Sequence, residues 1–263
     1  MTNVIYALIV LGALGALFGL VLAVAGKKFA VKVDEKQEAV RECLPGANCG
    51  GCGFPGCDGY AEAIAAGKAA VNCCTSLDEA GIARIAEIMG VKAETAEKRV
   101  ALVRCTGTNG HKQLKYDYVG LQDCLSASRL AGGPNECADG CIGLGSCVKA
   151  CRFGAMSIAD GVAKVDREKC TGCMQCAAAC PKKLIVKVPY DSKVVIPCAS
   201  KAKGVQVRKF CDFGCIGCSL CVKKCPQEAI TVENNLASID YSKCLGCGAC
   251  VEACPRKIIT VIE

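Results

Sequence analysis

The sequence predicts an α+β chain built in series. A transmembrane helix comes first, then a small helical unit with one cysteine loop, then two copies of a module made of short strands and tight cysteine loops. Three observations carry this reading. Residues 1–26 contain no charged side chain. Twenty-six of the 263 residues are cysteine, and twelve of these fall into three runs that each end in Cys-Pro: Cys170, Cys173, Cys176, Cys180; Cys215, Cys218, Cys221, Cys225; and Cys244, Cys247, Cys250, Cys254. Finally, Cys151 and Cys170 lie 19 positions apart, as do Cys225 and Cys244, with two short apolar runs inside each interval.

Ile5 to Ala25 is a run of 21 apolar or small residues. As a helix it is about 32 Å long, enough for a bilayer core of about 30 Å. Lys27, Lys28 and Lys32 follow at once, which places the bulk of the chain on the cytoplasmic side of the cell membrane behind a single-pass anchor. Ala23-Val24-Ala25-Gly26 resembles a signal cleavage site. However, the positive segment of a signal peptide is missing and the apolar run exceeds the usual stretch of about 7–15 residues, so an uncleaved anchor is expected. Gly15 and Gly19, overlapped by Gly12 and Ala16, give the helix a face of small residues; its plain reading is a tether.

Residues 27–42 read as a charged tether and 43–92 as a compact single-site unit. Its loop, Pro45 to Cys57, is rich in glycine and proline and carries Cys49, Cys52 and Cys57; a fourth ligand must come from Cys73 or Cys74. Two helices should follow the loop. The second is expected to begin at Ser76, with Glu79 completing a capping box, and to run to Gly90 with Ile82, Ile85, Ala86 and Met89 on one face. Connecting segments at 93–136 and 189–210 each hold one expected strand, Val100–Val103 and Val194–Ile196, and these two are expected to pair. The repeated modules occupy 137–188 and 211–263. In each, a hairpin turns at Asp160-Gly161 or Asn234-Asn235, and an apolar tail closes the copy.

The Cys-Pro runs have the C-x2-C-x2-C-x3-C-P spacing of bacterial two-cluster ferredoxins, in which three thiolates hold one [4Fe-4S] cube and the fourth reaches the neighbouring cube. By that rule Cys215, Cys218, Cys221 and Cys254 form one site, and Cys244, Cys247, Cys250 and Cys225 another. The first module starts with wider gaps, Cys137-x3-Cys141-x5-Cys147-x3-Cys151, and has Arg152 in place of proline. The same rule assigns Cys137, Cys141, Cys147 and Cys180 to one cube, and Cys170, Cys173, Cys176 and Cys151 to the other. Cys105 and Cys124 precede this module while Cys198 and Cys211 follow it, so convergence of the connecting segments would make a sixth tetrathiolate site, for a further [4Fe-4S] cube or for zinc. Cys43 reads as a small hydrophobe.

The alternatives are weaker. A zinc ribbon does not use a third in-line cysteine with a distal Cys-Pro. A disulfide scaffold belongs to short secreted chains and needs no such regular spacing. The formal charge of +7 does not point to nucleic acid, because six oxidised tetrathiolate cubes would add about −12 and leave the loaded protein at about −5. His111 reads as an exposed loop residue. Neither a strand–GxGxxG–helix unit nor a phosphate-binding loop is present, so neither NAD nor flavin binding is expected of this chain, and no independent catalytic site.

The loop Cys49-Gly50-Gly51-Cys52-Gly53-Phe54-Pro55-Gly56-Cys57 resembles the single-cluster domain of the B subunit of Rnf-type electron-transport complexes. In that family the motif reads Cys-Gly-x-Cys-Gly-x-Pro-Gly-Cys, followed by one more cysteine. Asn72-Cys73-Cys74 matches the end of that motif with Cys74 as the ligand. The resemblance covers nearly the whole chain, in the order anchor, single-cluster domain, ferredoxin modules. It implies a subunit that accepts electrons from soluble ferredoxin and passes them towards NAD+ reduction on another subunit, coupled to Na+ or H+ export, alongside membrane and flavin-bearing partners. The rival reading is a polyferredoxin-like subunit of a hydrogenase or other membrane reductase.

Overall fold

The computed structural model describes residues 2–28, 34–92 and 97–262. Residues 29–33 of the expected tether and 93–96 of the first connecting segment lie outside the described residues. Helix α1 (Thr2–Lys28) is 27 residues long. Its span Ile9–Gly26 has a mean hydropathy of 2.5 and buries nothing against the rest of the chain. By length and composition this helix is able to cross a bilayer core.

The next unit is helical. Helix α2 (Glu35–Cys43) stands where part of the tether was expected. Asp34 starts it by accepting the Lys36 N–H at 3.0 Å, and its one fully buried residue, Val40, packs with α3 (Cys57–Ala65) and α4 (Glu79–Met89). The tether reading missed this because α2 is mostly charged and its single buried position leaves little periodic signal. Helix α4 begins later than the expected capping box: Asp78, not Ser76, accepts the Gly81 N–H, at 2.9 Å. Its end at Gly90, in the left-handed conformation with φ 67°, is the expected one. Tyr60, Ile64 and Ile85 are almost wholly buried at the centre of this unit.

Strand β1 (Arg99–Val103) leads through a long loop to α5 (Cys124–Arg129) and into the first module. That module contains α6 (Ser146–Ala150), β2 (Met156–Ala159), β3 (Val162–Val165), α7 (Gln175–Ala178) and β4 (Ile185–Pro189). The second repeats the plan with β5 (Val194–Val195), α8 (Gly204–Phe210), α9 (Leu220–Lys224), β6 (Ile230–Glu233), β7 (Leu236–Ile239), α10 (Ala249–Glu252) and β8 (Thr260–Val261). The hairpins β2–β3 and β6–β7 form as expected. Positive φ values at Asp160 (52°), Gly161 (74°), Asn234 (49°) and Asn235 (62°) suit two-residue turns that match the strand twist.

The pairing expected between the two connecting strands does not form. β1 pairs antiparallel with β4, Val100 opposite Val188 and Val103 opposite Ile185, while β5 pairs with β8. Each module thus closes its own apolar tail with the strand that precedes it. The physical reason is burial: Val100, Val188 and Leu184 are at most 2% exposed in one core, and Val194, Ile258 and Ile259 at most 3% in the other. Each connecting strand can satisfy those faces within its own module, without crossing to the other.

Candidate iron–sulfur centres

Tight cysteine loops need backbone turns that ordinary residues avoid. In every loop of the two modules, positive φ values recur two positions apart, just before a short helix: Gly143 and Gly145 before α6, Gly172 and Met174 before α7, Gly217 and Ser219 before α9, Gly246 and Gly248 before α10. Alternation into the left-handed region turns successive N–H groups inward, the arrangement of anion-binding nests found around iron–sulfur groups. Gly172 is also fixed by space, since a Cβ there would stand 2.2 Å from the Arg99 carbonyl oxygen.

Four cavities lie between these loops, and each is lined by four cysteines. One has Cys215, Cys218, Cys221 and Cys254. A second has Cys225, Cys244, Cys247 and Cys250. A third has Cys141, Cys147 and Cys180 together with Cys124. The fourth has Cys105, Cys198 and Cys211 together with Cys137. Two further groups show in the electrostatics of their buried thiols. Burial, then the neighbouring Cys170 and Cys173 and more weakly Cys151, push Cys176 up to about 12. Burial above all, with Cys52, Cys49 and Cys57 adding to it, raises the Cys74 thiol. Cys73 instead turns its N–H to the Tyr60 hydroxyl at 3.0 Å, and Cys43 lies partly buried against the same core.

Two cysteines therefore exchange the places expected for them. Cys124, not Cys137, completes the cavity of Cys141, Cys147 and Cys180; Cys137 joins Cys105, Cys198 and Cys211. The signal was available in the repeat. Cys137-Ala-Asp-Gly-Cys141-Ile-Gly aligns with Cys211-Asp-Phe-Gly-Cys215-Ile-Gly, which makes Cys137 the counterpart of Cys211 and puts Leu144 where the second copy has Cys218. The first module lacks that thiol, and α5 supplies one from outside. Asp123 positions it: its carboxylate caps α5 at the Ser126 N–H and accepts the Ser146 hydroxyl, both at 2.8 Å, while Ser146 accepts the Cys124 N–H at 2.8 Å.

Several sulfurs accept backbone hydrogen bonds that would stabilise a thiolate. The Ala155 N–H donates to Cys151 at 3.3 Å and the Ala229 N–H to Cys225 at 3.4 Å, at equivalent places in the two modules. The Ala101 N–H donates to Cys170 at 3.3 Å. Burial pushes Cys137, Cys147 and Cys221 each up to about 11. Such thiols are neutral on their own near pH 7, so loading a metal group must release their protons. Among the described residues, no three His, Cys, Asp or Glu side chains converge on one point as a single ion requires. Four sulfurs on one zinc would sit about 3.8 Å apart, from Zn–S bonds of about 2.3 Å. Four cysteines with no other ligand type are a donor set that fits a [4Fe-4S] cube, whose four irons each take a separate thiolate.

His111 is exposed in a loop, as expected, and it also has partners there. Its Nδ1 lies 2.9 Å from Asp212 Oδ2, and its ring packs on Phe213 with centroids 4.9 Å apart. The sequence held no local sign of this, since Asp212 is 101 positions away.

Repeated four-thiol sites on ferredoxin-type modules, carried behind an apolar helix, define a multi-cluster iron–sulfur electron carrier. Family models agree: residues 44–76 match one described as "Putative Fe-S cluster", and residues 137–184 and 214–259 each match a "4Fe-4S dicluster domain". The B subunit of the Na(+)-translocating ferredoxin:NAD(+) oxidoreductase complex of Acetobacterium woodii is 45% identical over 89% of this chain and 71% of its own length. The proton-translocating counterpart of Clostridium ljungdahlii is 44% identical over 92% of this chain and 86% of its length. The B subunit of the ion-translocating oxidoreductase complex of Methanosarcina acetivorans is 42% identical over 89% of both chains. The chain belongs to the B-subunit family of Rnf-type ion-translocating ferredoxin:NAD+ oxidoreductase complexes, as their membrane-associated iron–sulfur electron-transfer subunit.

Proposed function

We propose that this chain accepts single electrons from reduced soluble ferredoxin on the cytoplasmic side and relays them through [4Fe-4S] sites to the other subunits, where NAD+ is reduced and Na+ or H+ is exported. The observation that carries this reading is the series of cavities each lined by four cysteines. In an α+β chain of two repeated modules, six sets would hold the groups: Cys49, Cys52, Cys57 and Cys74; Cys151, Cys170, Cys173 and Cys176; Cys124, Cys141, Cys147 and Cys180; Cys105, Cys137, Cys198 and Cys211; Cys215, Cys218, Cys221 and Cys254; Cys225, Cys244, Cys247 and Cys250. A bound cube supplies reversible one-electron storage without proton or atom transfer.

The chain's own residues do the rest. The thiolates fix position, backbone N–H groups at Cys151, Cys170 and Cys225 favour the charged sulfur, and buried Val, Ile and Leu exclude water. Helix α1 holds the assembly to the bilayer as a single span, with Lys28 and the lysines around it on the cytoplasmic side. Relatives of nearly equal identity carry names with different ions. That fits a chain which handles electrons and leaves the ion to its partners. In membranes containing the whole complex, NAD+ reduction by reduced ferredoxin should require this chain. Undiminished reduction in its absence would refute the proposal. Membership of the family does not favour the hydrogenase or other reductase reading.

A further inference from the structure

Resting on that reading, we infer that the site of Cys105, Cys137, Cys198 and Cys211 is a bridge built by a pseudo-two-fold relation between the modules, and that it joins all six sites into one unbranched line. Each module gives two of the four thiols from equivalent places. Cys105 and Cys198 each follow the strand that pairs with the module's own tail, β1 with β4 and β5 with β8. Cys137 and Cys211 each stand four positions before the first cysteine of the adjoining loop. The hydrogen bonds repeat as well. The Cys141 N–H donates to Cys105 Sγ at 3.4 Å, and the Cys215 N–H donates to Cys198 Sγ at 3.4 Å. Each donating backbone belongs to a cysteine whose thiol lines the next site along, so the bridge touches one site on each side through a single residue.

The module interface is organised around this point. Residues 111–113 form a strip bonded on both sides: the Gln113 N–H donates to the Phe210 carbonyl at 2.9 Å and the Asp212 N–H to the His111 carbonyl at 3.1 Å, while the Glu136 N–H donates to the Gln113 carbonyl at 3.0 Å. The Arg104 Nε donates to the Cys198 carbonyl at 3.0 Å, and the Lys201 N–H to Asp139 at 3.1 Å.

The remaining junctions complete the line. Arg152 donates to the Ala47 carbonyl at 2.5 Å, and Gln175 donates to the Cys49 carbonyl. These contacts seat the single-cluster domain on the loop of Cys173. Within the first module α6 packs on α7, and within the second α9 packs on α10, which puts Cys147 beside Cys176 and Cys221 on the helix that leads to Cys225. The line runs from the anchored domain through two sites of the first module, across the bridge, and through two sites of the second. Passage is a one-electron step: a low-potential one-electron donor at the far end loses an electron and an acceptor at the membrane end gains it, with no bond made or broken.

The test uses the full-length protein with Cys137→Ser and, separately, Cys211→Ser. Iron is expected to fall in both by about four atoms from about 24 per chain, with the other five sites still present by EPR and the membrane-end sites no longer reducible from the second module. The two variants, 74 positions apart, should match. A loss of about four irons with unchanged passage would overturn the bridge while leaving the six-site reading intact. Wild-type protein without cubes at the Cys-Pro loops would instead overturn the reading beneath it. Should a variant lose more iron, the unmutated protein decides: fully reduced, it should show one magnetically coupled network, and two independent groups of signals would overturn the inference.

Discussion

Cys124 and Leu144 show how a repeat can drift while its site is kept. Leu144 stands where the second copy has Cys218, and Cys124 fills the same cavity from a surface helix. Substituting Cys124→Ser is expected to damage only that site, leaving it with three thiols and lowering iron by at most about four per chain. Adding Leu144→Cys should restore it, because the loop already follows the second module's path; iron analysis and EPR check both. Failure of the rescue, with the rest of the protein intact, would show that position 144 does not point into the cavity. Asp166 and Asp240 are a second equivalent pair. Each caps the turn into a cysteine loop, Asp166 through the Lys169 and Glu168 N–H groups and Asp240 through Ser242. Those hydrogen bonds hold both carboxyls below the usual range. With the folded value lowered, their contribution is fully present above about pH 4, the unfolded value, and is lost as pH falls through the folded one. Acid release of iron should therefore begin at higher pH in Asp166→Asn and Asp240→Asn than in the parent, followed by absorbance during pH titration.

Hairpin strands and the helix ending at Gly90 were legible where their pattern is local. The hairpins β2–β3 and β6–β7 declare themselves by paired apolar runs around turn residues, and the loops by cysteine spacing. Partners chosen over distance were not legible. β1 could meet β5 or β4 on apolar pattern alone, and the choice of β4 depends on how the Leu184 side chain fills the first core at 1% exposure. The Arg104 N–H also donates to the Leu184 carbonyl, at 2.9 Å. Leu184→Ala should cost about 2–5 kcal/mol, the range for a buried leucine truncated in a packed core, read as earlier thermal loss of iron–sulfur absorbance. An unchanged transition would mean that β1 and β4 do not close that core. The α2 helix was missed for the opposite reason: charge dominates its composition, and only its packing on α3 and α4 fixes it.

The assembled chain joins an apolar helix with no buried face to a dense series of thiol sites. These parts should separate cleanly: removing residues 2–28 is expected to release the protein from membranes without loss of iron, and membrane retention would contradict α1 as the anchor. The single-cluster domain depends on close approach. A Cβ on Gly51 would stand 2.9 Å from Cys173 Cα, so Gly51→Ala should lift the domain at a cost of about 1–3 kcal/mol and speed hydrogen exchange in the Cys49–Gly53 loop. Everything proposed for the molecule requires inorganic cubes on these thiols. Iron, acid-labile sulfide and zinc should be measured together on anaerobically purified full-length protein. About 24 irons per chain with equal sulfide and no zinc is expected. Zinc in place of iron at the Cys-Pro loops, or iron without sulfide, would contradict it.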